Sequence, residues 1–315
     1  MQGRFSGIGM SRPRKQTRRE VFLCEMATVV PWERFEHLIR RHYPVAGRGR
    51  RPYPLGSMLR IHFMQQWFGL SDPAMEEALW ETPLLREFAS ISADFEGVPD
   101  ETTILKFRHL LEKHELSKAL FDEMTAVLTE RGLLLRQGTI VDATLIAAPP
   151  STKNRTKSRD PDMKQTKKGN QWYFGMKAHI GVDAASGCVH SAEMTSANVH
   201  DSVVIGALLH GEEEIAFGDS AYASNERALE ADRDESDVVW ATPFKRRKGQ
   251  DLTDEQRRIN RFTSSFRSKV EHVFRVVKRQ FGYAKTRYRG LYKNSQQIFC
   301  QLTLANIYIM REQLA

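Results

Sequence analysis

Apolar residues recur at helical spacing from Gln16 to about Gly132, interrupted at Pro31, Pro44, Pro52, Pro54, Pro73, Pro83 and Pro99. Proline lacks a backbone donor and clashes with the preceding turn, so these positions divide an all-α region into short helices. Ser71-Asp72-Pro73 is a capping residue with proline at the first helical position, which predicts a helix start. Asp100 predicts another, since its carboxylate can accept from the free N–H groups of Thr102 or Thr103. The helix that follows carries Lys106, Phe107, Arg108 and His109, and a further helix is expected over Leu116 to Arg131. Two short helices joined tightly fit a helix-turn-helix, and equally a plain packing unit.

The pattern changes after Gly138. Thr139 to Ala148 is dominated by β-branched and small apolar residues and reads as a strand. Residues 149–170 are then almost without apolar side chains but rich in Lys and Arg, which predicts a flexible basic loop. Strands are expected over Trp172–Val182 and Cys188–Met194 around the turn Asp183–Gly187. A helix over Asp201–His210, a strand over Ile215–Phe217, a helix over Asn225–Asp232 and a strand over Asp237–Phe244 follow. Helices over Asn260–Phe281 and Ser295–Met310 close the chain. Antiparallel strands followed by alternating helices and parallel strands predict an α/β class, a mixed sheet covered on both faces. The expected organisation is a basic arm (1–15), a helical region (16–134) and a second domain (135–315).

Composition narrows the function. At 315 residues, 41% of them hydrophobic, the chain has material for more than one core, and wholesale disorder is excluded. The balance of 47 Lys+Arg against 39 Asp+Glu gives a net charge of +8, a bias expected of proteins that meet polyanions. No run approaches the ~18 apolar residues of a membrane-spanning helix. Met1 to Glu20 lacks the apolar stretch of about 7–15 residues of a secretory signal, so a cytoplasmic protein is expected. Cys24, Cys188 and Cys300 are odd in number and far apart, which argues against a disulfide framework or a structural zinc site.

Three carboxylates stand out against this pattern. Asp142 interrupts the apolar run Ile140–Leu145. On an edge strand it would face water; on a covered strand it must be compensated by a metal ion, a cation or protonation. Asp219 lies just past Ile215–Phe217, where a turn role would explain it alone, but ligand sites of open α/β sheets lie beyond the carboxyl ends of parallel strands. Glu271 sits on the predicted terminal helix. At about 100° per residue, Phe266, Val270, Val273, Phe274, Val277 and Phe281 form its apolar face, and Arg267, Glu271, Arg275 and Lys278 fall within roughly 40° of one direction beside it. Taken alone these are surface ion pairs of little worth. Carboxylates from two strands and a helix can also converge, and such an oxygen set suits Mg²⁺ or Mn²⁺. Two such ions about 4 Å apart serve phosphodiester chemistry, with neighbouring cations holding phosphates.

Several segments together carry a family resemblance: Gly49-Arg50-Arg51-Pro52-Tyr53-Pro54, Phe107 to Leu111, Gly138 to Thr144, Lys168 to Asp183, Leu209 to Glu212, and Val270-Glu271-His272 with Lys278 to Gly282. The chain resembles a bacterial insertion-sequence DDE transposase of the IS-five group over most of its length. The resemblance implies a ribonuclease-H-like catalytic domain preceded by a helical DNA-binding and assembly domain. It also implies Asp142, Asp219 and Glu271 as catalytic triad and metal ligands, with two Mg²⁺ ions for which Mn²⁺ can substitute. The implied partner is DNA, both the element's terminal inverted repeats and the target, bound by a homodimer in a synaptic complex. The family signature has Arg four positions before its Glu and Lys seven after, matched by Arg267 and Lys278. Its Tyr three positions before the Arg is Ser264 here, and its Gly between the second Asp and a Tyr is Ala221.

Further candidates for DNA contact are Arg275, then Lys167 and Lys168 of the basic loop, Arg48, Arg50 and Arg51 of the first matching segment, and Lys106 and Arg108. Trp172, Tyr173 and Phe174 adjoin the basic loop and can stack on bases, although aromatic residues in a strand read first as core. His179, His190, His200 and His272 lack zinc-ligand spacing and read as structural; Asp183 reads as a turn residue and Asp201 as an N-cap. A ribonuclease-H-like nuclease without strand transfer, and a catalytically silent DNA-binding regulator, are the alternative functions.

Overall fold

The computed structural model of the chain describes residues 15–47, 51–91, 97–155, 157–219, 238–246 and 250–315. The chain divides into two compact units, one of Met1–Leu116 with Met310–Ala315, the other Ser117–Ile309.

In the first unit, α1 (Arg18–Val29) opens with a reciprocal cap: Thr17 accepts from the Glu20 amide and Glu20 accepts from the Thr17 amide. There follow α2 (Trp32–Arg40), α3 (Leu55–Phe68), α4 (Asp72–Glu81), α5 (Pro83–Phe88) and α6 (Glu101–Lys113). Both predicted starts are present. Ser71 caps α4 through the Ala74 amide, and Asp100 caps α6 through the Thr103 amide at 2.6 Å and the Thr102 hydroxyl at 2.8 Å. Leu23, Met26, Phe35, Ile39, Phe63 and Leu79 are fully buried. Tyr53 is a tether, donating to the Gly97 carbonyl at 3.1 Å and accepting at its own carbonyl from Tyr43 at 2.7 Å.

The second unit begins in α7 (Leu116–Glu130) and is built on a mixed sheet. Its strands are β1 (Gly138–Ala147), β2 (Lys164–Lys168), β3 (Gln171–Asp183), β4 (Val189–Ser196), β5 (Ile215–Phe217) and β6 (Val239–Ala241). The order is β2-β3-β1-β5-β6, with β4 also on β3; the pairs β1–β5 and β5–β6 are parallel and the others antiparallel. This is the mixed α/β arrangement expected of a ribonuclease-H-like fold.

Alternation along β1 sends its side chains to two differently covered faces. Val141 packs with Val204, Ile205 and Leu208, which come from a 3-10 turn (Asp201–Val204) and the short α8 (Ile205–Leu208). The opposite face, that of Ile140 and Asp142, receives α9 (Asp254–Arg275), whose Phe266 stacks on Phe217 at 4.4 Å. Alpha helix α10 (Leu291–Ile309) closes the unit, and its buried Asn306 satisfies both backbone groups of Val189 at 2.8 and 2.7 Å. Helix α11 (Arg311–Leu314) belongs to the first unit, where Arg311 pairs with Glu25 at 3.7 Å.

Several expected bounds shift. The basic loop is partly ordered into β2, because β3 extends far enough to offer it a ladder of backbone partners from Gln171 to Gly175. The terminal helix starts earlier, at a Thr253–Gln256 capping box, and ends in a π turn, Val276–Gln280. The strand expected over Asp237–Phe244 is confined to Val239–Ala241, and the expected helix Asn225–Asp232, with Ala221, lies outside the described residues. Asp201 is not the N-cap: His200 takes that place, and the Asp201 carboxylate pairs with Lys177 at 2.8 Å.

Candidate active site

The parallel register of β1 and β5 decides where the first two acids lie. Ile140 is level with Phe217, and Asp142 and Asp219 each stand two residues further on. Asp142 is still within β1 and shares the face of Ile140 that α9 covers, whereas Asp219 lies just past the end of β5, near enough for its charge to act on Asp142. Asp142 shows the consequence. Its pKa is raised, chiefly by burial and further by the Asp219 charge, against the opposing pull of the Ala143 amide, Arg267 and Lys168. The Ala143 amide donates to Asp142 Oδ1 at 2.8 Å, while Arg267 Nη2 stands 4.0 Å from Oδ2.

The third acid is placed differently. Glu271 is exposed, one turn beyond Arg267 on α9, and lines an open cavity of about 760 Å³ with Thr144, Arg275 and Lys278. The α9 side chain paired with Asp142 is Arg267. Among the described residues, no group of three or more His, Cys, Asp or Glu is gathered closely enough to hold a metal ion. Asp142 and Asp219 are therefore close enough to interact, whereas Glu271 lines a cavity with Thr144, and the convergence of all three acids expected from the sequence is not formed among the described residues.

Lys278 stays with the stripe that helical geometry predicts, although the helix is not regular there. It falls in the π turn, where one extra residue per turn rotates the chain, and such turns recur at functional sites. Its ammonium donates to the Thr144 hydroxyl at 2.6 Å and the Leu145 carbonyl at 2.8 Å, so the helix end is pinned to β1 just beyond Asp142. Burial, and then the Lys168 charge, lower its pKa. Thr144 as an anchor was not singled out from sequence, although its position two residues after Asp142 puts it on the same face.

The other candidates scatter. Lys167 and Lys168 are exposed on β2, and the Lys168 charge reaches both Asp142 and Lys278. Arg275 is exposed; Arg51 and Lys106 are exposed in the first unit, and Arg48 and Arg50 lie outside the described residues. Arg108 is a correction. Its side chain is 10% exposed and engages Asp72 at 2.9 Å and Glu112 at 2.8 Å, so an internal ion cluster holds the guanidinium that sequence offered to DNA.

His179 and His190 are held within the fold, whereas His200 and His272 are exposed. His179 is buried against the Thr195 hydroxyl at 2.9 Å. His190 lies 3.1 Å from the Thr139 hydroxyl, which donates to Glu213 at 3.0 Å, and burial brings the His190 pKa down to about 4. Burial works to raise the pKa of Glu213, but the amides of His210 and Gly211 outweigh it and the net shift is downward. Asp183 is a turn residue as expected, accepting from the Ser186 amide at 2.6 Å and the Arg136 amide at 2.9 Å.

A family model described as "Transposase DDE domain" matches residues 134–307, and one described as "Transposase domain (DUF772)" matches residues 11–110. No solved structure matches the chain. Among the described residues, no helix is long and apolar enough to cross a membrane.

Proposed function

The chain belongs to the transposase DDE domain family, and from that premise we propose that it cuts the ends of its insertion sequence and joins the freed 3′-OH ends to target DNA. The observation that supports this reading is Asp142 on β1 with Asp219 just past the end of the neighbouring parallel strand β5, beside a helix that sets Arg267 near Asp142 and the pinned Lys278 on Thr144.

The donor chemistry fits divalent ions. Carboxylate oxygens are the hard ligands that Mg²⁺ and Mn²⁺ take, and two carboxylates held side by side are costly unless a cation shares them. Asp142 and Asp219 would hold such ions, and Glu271 would complete the shell from the cavity wall. When bound, a pair of these ions supplies Lewis-acid activation of the attacking oxygen and charge stabilisation of the departing one. The protein's own part is positioning. Arg267 and Arg275 offer planar forks to phosphate oxygens, and Lys278, fixed on β1, presents a point charge at a set height above the acids. Lys167 and Lys168 extend the basic path along β2. Element ends and target are both DNA, and holding two ends at once calls for two copies of the chain. The Arg267 and Lys278 spacing around Glu271 supports membership of the IS-five group.

A labelled duplex carrying the element end, incubated with Mg²⁺, tests this reading. Cutting and joining are expected, and Asp142→Ala should abolish both while DNA binding persists. Joining absent but cutting present would mean a nuclease; binding without cutting would mean a regulator. Full activity in Asp142→Ala would overturn the site.

A further inference from the structure

The hairpin β2–β3 carries an aromatic side chain that the proposed chemistry leaves unused. Three aromatic residues follow its turn, and two are engaged. Phe174 lies under the Arg159 guanidinium at 5.5 Å, and the Tyr173 hydroxyl donates to Gln171 at 2.7 Å. Trp172 is instead 67% exposed, in a strand position where sequence suggests core. A large ring left in water is informative when its surroundings say what would cover it.

Here the surroundings are cationic. Lys167 is directly opposite Trp172 across the ladder, and Lys168 pairs with Gln171 at the hairpin end. The turn runs through Gly169, whose φ of +60° is a conformation L side chains rarely adopt. Strand β3 passes β1 at Gly175, where a Cβ would overlap the Ile146 carbonyl oxygen, so only glycine permits so close a crossing. Beyond that crossing the hairpin end comes near the acids, since the Lys168 charge acts on both Asp142 and Lys278. By alternation from the Asp142–Ile180 pair, Trp172 lies on the Asp142 side of the sheet.

We propose that Trp172 is a base-stacking residue, which takes an unpaired nucleotide of the DNA end while the flanking lysines hold its phosphates. The inference rests on the DNA-cutting reading above and names a contact within it. A flat ring needs the face of a base, and in a duplex those faces are covered by neighbouring bases; the ring therefore selects a splayed or single-stranded nucleotide beside the cleavage point. Lysines contribute sequence-independent phosphate attraction, which acts on paired and unpaired DNA alike.

The test separates these contributions. Two probes are used in EDTA with the full chain: a blunt 30-base-pair duplex, and the same duplex with a three-nucleotide 3′ tail containing 2-aminopurine. The wild type should bind the tailed probe more tightly and quench its fluorescence. Trp172→Ala should weaken tailed binding about 5- to 150-fold, leave blunt binding nearly unchanged and abolish quenching, while Trp172→Phe retains most of both. Lys167→Ala should weaken both probes together. A Trp172→Ala protein that keeps the preference and the quenching, or a wild type that shows neither, overturns the inference. A wild type that shows both but fails to cut with Mg²⁺ overturns the DNA-cutting reading and leaves the stacking contact supported; a wild type that binds no DNA overturns both.

Discussion

Arg108→Ala distinguishes a DNA-reading residue from a structural one. The guanidinium bridges Asp72 on α4 and Glu112 on α6, at 2.9 and 2.8 Å, and the three side chains are 10%, 18% and 9% exposed. Truncation leaves two nearly buried carboxylates without their cation, a change that costs about 3–5 kcal/mol. Gln65 still donates to the other Asp72 oxygen at 2.9 Å, which places the expected loss at the lower end, about 3 kcal/mol. Against a total stability of about 5–15 kcal/mol this is severe, and it corresponds to a fall in melting temperature of about 10 °C. Thermal unfolding followed by tryptophan fluorescence, with duplex binding measured well below the transition, reads both effects. Lys106→Ala, two residues earlier on α6 and exposed, should change stability by less than about 0.5 kcal/mol. Adding Asp72→Asn and Glu112→Gln to an Arg108→Met change should recover much of the loss, because no buried charge is then left unpaired. If Arg108→Ala melts within about 2 °C of the wild type and loses duplex affinity about tenfold, the ion cluster is not what holds this residue and the base-reading role returns.

Other perturbations follow from the same geometry. Lys278→Met removes a cation but leaves the packing of its stem, so the log–log salt slope of DNA-end binding should fall by about one, with a sharp loss of cutting; an unchanged slope would show that this ammonium meets no phosphate. Gly175→Ala pushes a methyl into the Ile146 carbonyl and should cost about 2 kcal/mol or more in urea unfolding, whereas Gly132→Ala, with nothing near, should cost little beyond the strain of its φ of +67°. His190 has a folded pKa of about 4 against an ordinary 6.5, so the unfolded chain takes up the proton first as pH falls. The stability it contributes is complete above about pH 6.5 and is lost progressively toward pH 4, up to about 3 kcal/mol. Urea midpoints at pH 7.5 and 5 should differ more for the wild type than for His190→Gln, and parallel shifts would refute the assignment.

The caps were legible because they are local: Ser71 and Asp100 each accept from an amide three residues away, and the chain spells out both partners. The order of strands followed from composition in the same way. The parallel pairing of β1 with β5, which brings Asp219 near Asp142, was not readable, because register between distant strands is fixed only when the sheet forms. The basic loop misled for a related reason, since Lys164–Lys168 has no apolar alternation of its own and becomes a strand through the backbone of β3. Arg108 misled because charge alone does not separate a cation offered to solvent from one neutralised inside; Asp72, 36 positions away, decides it.

The site also divides between what the fold holds rigidly and what it supplies through one helix. Asp142 and Asp219 depend on sheet register, so a slip of one residue would turn each to the opposite face, and the α9 packing of Phe266 on Phe217 resists such a slip. The cations depend on α9 and its π turn instead. Lys278 keeps to the side of Arg267 and Glu271 through the π turn, and its ammonium bonds Thr144 and Leu145. Asp142 is thus held within the ladders of β1 and Asp219 by the end of β5, and Lys278 ties the end of α9 to β1 through two bonds, which leaves the third donor of its ammonium for the phosphate contact proposed above.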